Sequence, residues 1–346
     1  MKPMKIKHLL TPAILLLAGI LIFPGCEQKT PNSYKIVFYN VENLFDPVNE
    51  ENVRDGDFTP EGNISWNEKK YTKKLNDIAK VIRTIDSKNL PMIIGLAEVE
   101  NLGTLKDLTS KTVLSEGDYG IIHFESPDER GIDVALLYRT GHFMPMHARP
   151  YPLTFDFDKD DRTRDMLYVK GVAASKDTLH LIVDHWPSRS GGREKSDPKR
   201  FAAATSVSEV VDSIFRFNRD ANIIVMGDLN DNPTDDNVLV TLGANRINGN
   251  PQPGKLYNLS ISKFESGEGT LYWRSWDLFD QMIVSGNILS GNTNYVLKSD
   301  DIGILKEEWM LYERNDGVKV PNRTTGRNDY YGGYSDHLPV YIEFEK

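Results

Sequence analysis

Residues 223–231 read IIVMGDLND, four apolar residues that run straight into a glycine, a carboxylate and an amide. Asn222 bounds the run on one side and the turn cluster Asp231-Asn232-Pro233 on the other. An unbroken apolar run of this length between turn residues is the pattern of a strand buried on both faces, as in a sheet covered by helices. Such strands open onto ligand sites at their carboxyl ends. Asp228 and Asn230 are therefore candidate site residues, although Asp and Asn also make turns through their own side chains. In an extended strand end, two residues apart, they would project to the same side.

Eight further β-type runs surround this one: Lys35–Tyr39, Met92–Leu96, Gly120–Phe124, Val134–Tyr138, Leu167–Val172, Leu179–Val183, Gln281–Val284 and Val340–Phe344. Helical periodicity is confined to two clear intervals. In Asn67–Ile85, Tyr71, Leu75, Ile78, Ala79 and Ile82 share one face, and Ser65-Trp66-Asn67-Glu68 has capping-box spacing before it. In Arg200–Phe217 the expected buried stripe is Phe201, Ala204, Val207, Val211, Ile214 and Phe215. Strands outnumber helices, and the helices lie between strand groups, which predicts sheets covered on their outer faces by helices. Gly243–Tyr272 and Leu297–Tyr334 are rich in Gly, Asn, Pro and charge and read as long rim loops.

The amino terminus carries Lys2, Lys5 and Lys7, an apolar run from Leu9 to Phe23, and then Pro24-Gly25-Cys26. This is the pattern of a secretory signal, short for a membrane span. Cys26 is the only cysteine, and its place after a small residue resembles the cleavage and lipidation site of bacterial lipoproteins. Residues 1–25 are thus expected to be a signal peptide, 26–33 a lipidated Cys and tether, and 34–346 one domain. Removing residues 1–25 takes away three lysines and no acids, moving the formal charge from −9 to −12. An acidic surface does not attract polyanions over long range. A site that uses a divalent cation to offset its own carboxylates and a substrate phosphate remains compatible with that charge.

Four other strand ends carry polar groups of the same kind. Asn40 follows the first strand, Glu98 the second, His185 the strand Leu179–Val183, and Asp336-His337 precede the last. The series Asn40 in YNVENLF, Glu98 in GLAEVEN, His185 in DHWPSR, Asp228 and Asn230 in GDLND, Asp280 in FDQMIVS and Asp336-His337 in SDHLPV resembles the endonuclease/exonuclease/phosphatase superfamily. Those are metal-dependent phosphoesterases built like pancreatic deoxyribonuclease. YNVENLFD, RGIDVALLYR and HWPSRSGG further resemble a branch found in exported bacterial proteins. The resemblance implies an α/β (α+β) fold, a four-layer α/β/β/α sandwich of two packed mixed sheets flanked by helices.

Chemistry assigns roles beside the resemblance. Glu98 and the amide oxygen of Asn40 are hard oxygen ligands of the kind Mg²⁺ accepts, with Mn²⁺ or Ca²⁺ as substitutes. His337 is the candidate general base, since imidazole titrates near neutral pH. Neighbours along a strand point to opposite sides, which makes Asp336 a poor partner for His337 and turns it towards the metal. The family pattern makes Asp280 the group that orients His337. It also has Asp228 positioning the attacking water, Asn230 donating to a phosphoryl oxygen, His185 serving as a second phosphate-contacting or proton-donating group, and Arg164 near the scissile phosphate. Arg130, Arg189 and Arg193 suit phosphate through paired donors but are equally suited to a solvated face. Trp186 would either stack on a base or pack in the core.

Three functions follow. The leading one is a Mg²⁺-dependent phosphodiesterase acting on extracellular DNA or RNA, held at the membrane by its lipid and monomeric, with no protein partner indicated. The second keeps the fold and metal with a small substrate: a phosphomonoester, an inositol phosphate or a phospholipid head group. The third is a non-catalytic binding lipoprotein. Lipidation has its own test: Cys26→Ser should move the protein from the membrane fraction to the soluble or unprocessed pool. Equal membrane retention and unchanged mass for wild type and variant would reject it.

Overall fold

The computed structural model describes residues 32–51, 53–326 and 329–346. The expected signal peptide, Cys26 and residues 27–31 of the tether lie outside them. Among the described residues no helix is long and apolar enough to cross a membrane.

The strands in chain order begin with β1 (Ser33–Leu44), β2 (Ile93–Val99), β3 (Tyr119–His123), β4 (Asp133–Arg139) and β5 (Phe143–Tyr151). There follow β6 (Met166–Ala173), β7 (Thr178–His185), β8 (Asn222–Asp228), β9 (Ala244–Asn245) and β10 (Leu256–Asn258). The remainder are short except for β13 and β18: β11 (Leu271–Tyr272), β12 (Trp276–Asp277), β13 (Asp280–Ser285), β14 (Val296–Leu297), β15 (Gly303–Ile304), β16 (Leu311–Glu313), β17 (Lys319–Pro321) and β18 (Val340–Glu345). One sheet runs β14-β18-β1-β2-β4-β3 with β15 also on β18, and the other runs β5-β6-β7-β8-β13-β10-β9. The first sheet pairs β1 with β2 in parallel and the second pairs β7 with β8 in parallel, while β18 and β13 run antiparallel to them. Both sheets are therefore mixed.

Period-two alternation sorts each strand's side chains into two cores. Ile36 and Phe38 of β1 join Leu181, Val183, Ile224, Met226, Met282 and Val284 of the second sheet in the core between the sheets. Val37, Tyr39 and Val41 face the other way, onto helix α1 (Glu68–Ile85) and helix α2 (Leu102–Ser110). Ile223 and Val225 of β8 likewise pack outward on helix α3 (Arg193–Phe217). The result is the four-layer α/β/β/α sandwich. Gly95 leaves room for Met226 of the opposite sheet: a Cβ there would lie 2.8 Å from Met226 Sδ and 3.2 Å from Phe38 of the neighbouring strand.

All nine expected strands are present, and the differences have local causes. Strand β5 was missed because Pro145 and Pro150 interrupt its pattern, which an edge strand tolerates. The cap of α1 is Asn67, whose side chain accepts from the Lys70 amide at 3.2 Å. Ser65 is left-handed with φ 47° and is not the capping residue expected. Helix α3 begins seven residues before Arg200 and runs through Pro198. Phe201, expected in its buried stripe, is 54% exposed, because the longer helix buries Arg200 in its place to meet Asp231 at 2.8 Å. The two expected rim loops contain the short elements β9 to β11 and β15 to β17.

The inter-sheet contact can be tested by a double-mutant cycle. Gly95→Ala should cost about 1–3 kcal/mol by overpacking, and Met226→Ala about 2–5 kcal/mol by leaving a cavity. Denaturant melts of the double variant should show less than the sum, since the new methyl enters the vacated space. Additive losses would place the two residues out of contact.

Candidate active site

The inward row of side chains on each central strand ends in a polar residue. On β1 the row Ile36, Phe38 continues to Asn40; on β7, Leu181, Val183 to His185; on β8, Ile224, Met226 to Asp228. On antiparallel β13 the row runs backwards from Val284 and Met282 to Asp280. Register places His185, Asp228 and Asp280 side by side on three neighbouring strands. Because β13 and β18 run against their neighbours, residues at their beginnings meet residues at the ends of β8 and β1. All of these groups are buried.

Asp228 is the hub. Its Oδ2 accepts from Asn40 Nδ2 at 3.0 Å and lies 3.5 Å from His185 Nε2 and 3.7 Å from His337 Nε2. Its Oδ1 accepts from the Asn230 amide at 3.0 Å. Asn230 is left-handed with φ 49°, so the expected projection of Asp228 and Asn230 from one extended strand end does not occur. The chain turns instead, the Asp228 side chain caps the turn, and Asn230 Nδ2 donates to the Trp186 carbonyl at 2.9 Å. His337 donates through Nδ1 to Asp280 Oδ2 at 2.7 Å. Asp336 points elsewhere and pairs with Arg323 at 3.1 Å.

Glu98 reaches the site through an irregularity. Its position would continue the outward row Ile94, Leu96, but the β2–β4 register shifts between Ala97 and Val99 and Glu98 adopts φ 63°. Its Oε2 accepts from the Asn43 amide at 3.0 Å and lies 3.3 Å from Arg130. Non-glycine residues in left-handed conformations cost free energy and cluster at functional positions. Of the eight among the described residues, Glu42, Asn43, Glu98 and Asn230 stand at this rim.

Electrostatics separates the groups. Burial disfavours a charge on His337, but Asp280, Asp228, the hydrogen bond to Asp280 and Asp336 outweigh it, and the pKa is raised well above the usual value. Burial, with Arg164, Arg130 and His337 adding repulsion, keeps His185 neutral. Burial raises Asp228 to about 6 against the pull of His337. Burial also opposes the charge on Glu98, yet Arg130, His337, Arg164 and the Asn43 amide prevail and lower its pKa.

The remaining expected residues fall in several places. Arg164 is buried, paired with Asp128 at 3.0 Å and donating to the Trp186 carbonyl at 2.8 Å. Arg189 does not face an open phosphate site: it holds the turn after β8 through the Asn230 carbonyl, Asp231 and Asp235. Arg193 is half exposed on Asp235. Trp186 is a core residue whose Nε1 donates to Asp184 at 2.8 Å, so it offers no face to a base. Glu42 carries a part that sequence reasoning missed. Its carboxylate accepts from the amides of Thr324 and Thr325 and pairs with Arg323 at 3.4 Å, tying the segment before β18 to the end of β1. Burial and Asp336 raise Glu42 to about 7, against Lys74 and Arg323. The only sequence signal was the single carboxylate inside YNVENLF.

A profile of the Endonuclease/Exonuclease/phosphatase family matches residues 35–346. The chain belongs to that family, whose members are metal-dependent hydrolases of phosphate esters. A comparison with curated proteins finds no match. Among solved structures, an endonuclease/exonuclease/phosphatase family protein from Bacteroides thetaiotaomicron is 18% identical with TM-score 0.56, covering 91% of this chain and 98% of its own. Mannosyl-6-phosphatase Bt3783 of the same organism is 17% identical with TM-score 0.55, covering 90% and 100%. TDP2 of D. rerio, complexed with a single-strand DNA product, is 14% identical with TM-score 0.54, covering 91% and 100%. At these identities the likeness is one of fold.

The donor set fits a hard divalent cation. Glu98 Oε1 and Asp336 Oδ1 accept no hydrogen bond from any described residue, and both are carboxylate oxygens. Asn40 Oδ1, the third expected ligand, accepts from the Glu42 amide at 3.0 Å. The compact group Asp228, Asp280 and His337 also has its ligand atoms within 4.8 Å of one another, with His337 Nδ1 engaged by Asp280 Oδ2 at 2.7 Å. Thermal melts test the assignment, because a cation that binds only the native state raises Tm. Mg²⁺ or Mn²⁺ should stabilise the wild type at concentrations that leave Glu98→Gln unshifted. Superimposable titrations would remove Glu98 from the metal set.

Proposed function

We propose that this protein is an exported, lipid-anchored phosphoesterase that uses Mg²⁺ to hydrolyse phosphodiesters, with DNA or RNA outside the cytoplasmic membrane as its substrate. The observation that carries the reading is the closed set around Asp228. One neutral imidazole, one charged imidazole, two amides and two carboxylates converge on the edge where the two sheets meet. Export and anchoring rest on the residues before Cys26.

The division of labour follows from charge. Cleaving a phosphate ester requires a positioned nucleophile and relief of charge on the phosphoryl and leaving oxygens. The cation supplies charge relief when bound by Glu98 and Asp336 with the Asn40 amide oxygen. His337 was expected as the general base, but Asp280 and Asp228 favour its charged form against burial, which suits it to face phosphoryl oxygen as a donor. Asp228, raised to about 6 and acceptor-only when ionised, is the better proton acceptor for an attacking water. Neutral His185 stands on its other side. Asn230 orients the loop, and Arg130 and Arg164 add fixed positive charge.

A small phosphate ester is the alternative substrate, favoured by the net charge of −9 and by a similar fold in a mannosyl-6-phosphatase. A binding protein without catalysis has no need of so complete a polar set. Plasmid, single-stranded RNA, a bis-aryl phosphate and a mono-aryl phosphate, each with and without chelator, separate the three. Cleavage of the first three, abolished by chelator, is expected. Turnover of the mono-aryl phosphate alone would favour the small ester, and no turnover at all the binding protein. His337→Ala should lower kcat about 10²–10³-fold, as loss of one donor to phosphoryl oxygen does, and Asp228→Asn about 10²–10⁴-fold. Asp280→Asn combined with His337→Ala should be little worse than His337→Ala, because the two act as a unit. Independent losses would dissolve that pair.

A further inference from the structure

Beside the reaction centre lies a cleft of about 410 Å³. In a chain of net charge −9, it is lined by six cations, Arg54, Arg130, Arg162, Arg164, Lys195 and Lys199, against three carboxylates. It shares its wall with the centre: Arg130 bonds Glu98 and Asn43, and Arg164 donates to the same Trp186 carbonyl as Asn230. Most of these cations have partners. Arg54 pairs with Glu129, Arg164 with Asp128, and Lys199 with Asp158 and Asp161. Arg162 and Lys195 make no hydrogen bond and no ion pair with any described residue. Arg164 is 7% exposed, and its Nε is buried without an acceptor.

The backbone is arranged in the same sense. Helix α3 starts at this cleft, and its cap Gly192, with φ 106°, supplies no side-chain acceptor. A Cβ on Gly192 would meet nothing within 4 Å, and one on Gly191 only the Lys195 side chain. The first-turn amides of a long helix are therefore approachable by an anion, where the helix dipole favours one. Two cations unpaired among the described residues, an unsatisfied buried guanidinium nitrogen and an open helix start together suit an anionic ligand that no described residue provides.

We propose that this cleft is a subsite for a second phosphate group of the substrate, the one neighbouring the scissile phosphate along a nucleotide chain. The proposal rests on the phosphodiesterase reading above and narrows it. Substrates with consecutive phosphates gain a contact there that single-phosphate esters lack. Arg162 and Lys195 take the phosphate oxygens directly, with Arg164 Nε and the start of α3 behind them.

Thymidine dinucleotides isolate that contact: TpT carries only the scissile phosphate, while pTpT and TpTp add a second at one end. One of the two additions should raise kcat/KM by about tenfold or more, the size expected of a charge-assisted contact. The double variant Arg162→Gln/Lys195→Gln should lose that gain and cleave TpT at the wild-type rate. Equilibrium binding of a fluorescent oligothymidylate in chelator gives a readout independent of turnover. The slope of log K against log salt should fall by about 0.7 for each lost phosphate contact. A wild type indifferent to both added phosphates, a double variant that keeps the gain, or an unchanged salt slope would overturn the subsite. If none of the dinucleotides is cleaved, the phosphodiesterase reading has failed, and the salt slope alone decides whether the cleft takes phosphate.

Discussion

The buried carboxylate of Asp228 is the interaction on which the centre depends. It is the terminal residue of an inward row on the most central strand of its sheet, so nothing but the opposite sheet and its strand neighbours can solvate it. A buried carboxylate without partners is costly. Here the partners come from four segments of the chain: Asn40 on β1 across the sheet interface, His185 on the neighbouring β7, His337 before β18, and the amide of Asn230 in the turn after β8. The same contacts that satisfy it also assemble the site. Stability of the sandwich edge and geometry of the centre are thus one arrangement.

Strain and a second layer of polar contacts keep that arrangement fixed. Four left-handed residues re-aim the ends of β1, β2 and β8 out of their regular rows, which lets Glu98 turn from an outward position towards the cleft. Such conformations persist only where the surroundings over-determine them. Glu42 and the buried Lys74 do this for the 322–325 segment: Glu42 holds two of its amides, and Lys74 donates to Thr324 Oγ1 and, at 2.7 Å, to the Tyr334 carbonyl. That segment in turn carries Arg323, which holds Asp336. Burial lowers Lys74 to about 8 while Glu42 and Asp336 oppose the shift, so the layer is itself a balance of charge against desolvation.

Strands with unbroken apolar runs were legible in the sequence, because burial on both faces leaves few polar positions inside them. So were the polar residues at their ends. Asn40, His185, Asp228 and Asp280 were visible as residue types, and the structure adds that they terminate inward rows. What the sequence did not disclose depends on backbone turns and on partners distant in the chain. The left-handed Asn230 arises in the turn after β8 and the re-aimed Glu98 at a register shift, neither with a signature in residue type. Arg189 looked like a phosphate ligand and is consumed by Asp231 and Asp235, which only the fold brings to it. Phe201 looked like core because a 3.6-residue period was read from the wrong starting point, seven residues inside α3.

Asp280 and Asp228 together favour a charged His337 opposite a neutral His185, and this distribution is directly measurable. Nitrogen-15 chemical shifts of the two imidazoles in the metal-free protein at neutral pH should show His337 protonated on both nitrogens, with its Nδ1 proton in a strong hydrogen bond, and His185 protonated on one. A His337 that is neutral under those conditions, or a His185 that carries both protons, would contradict the account.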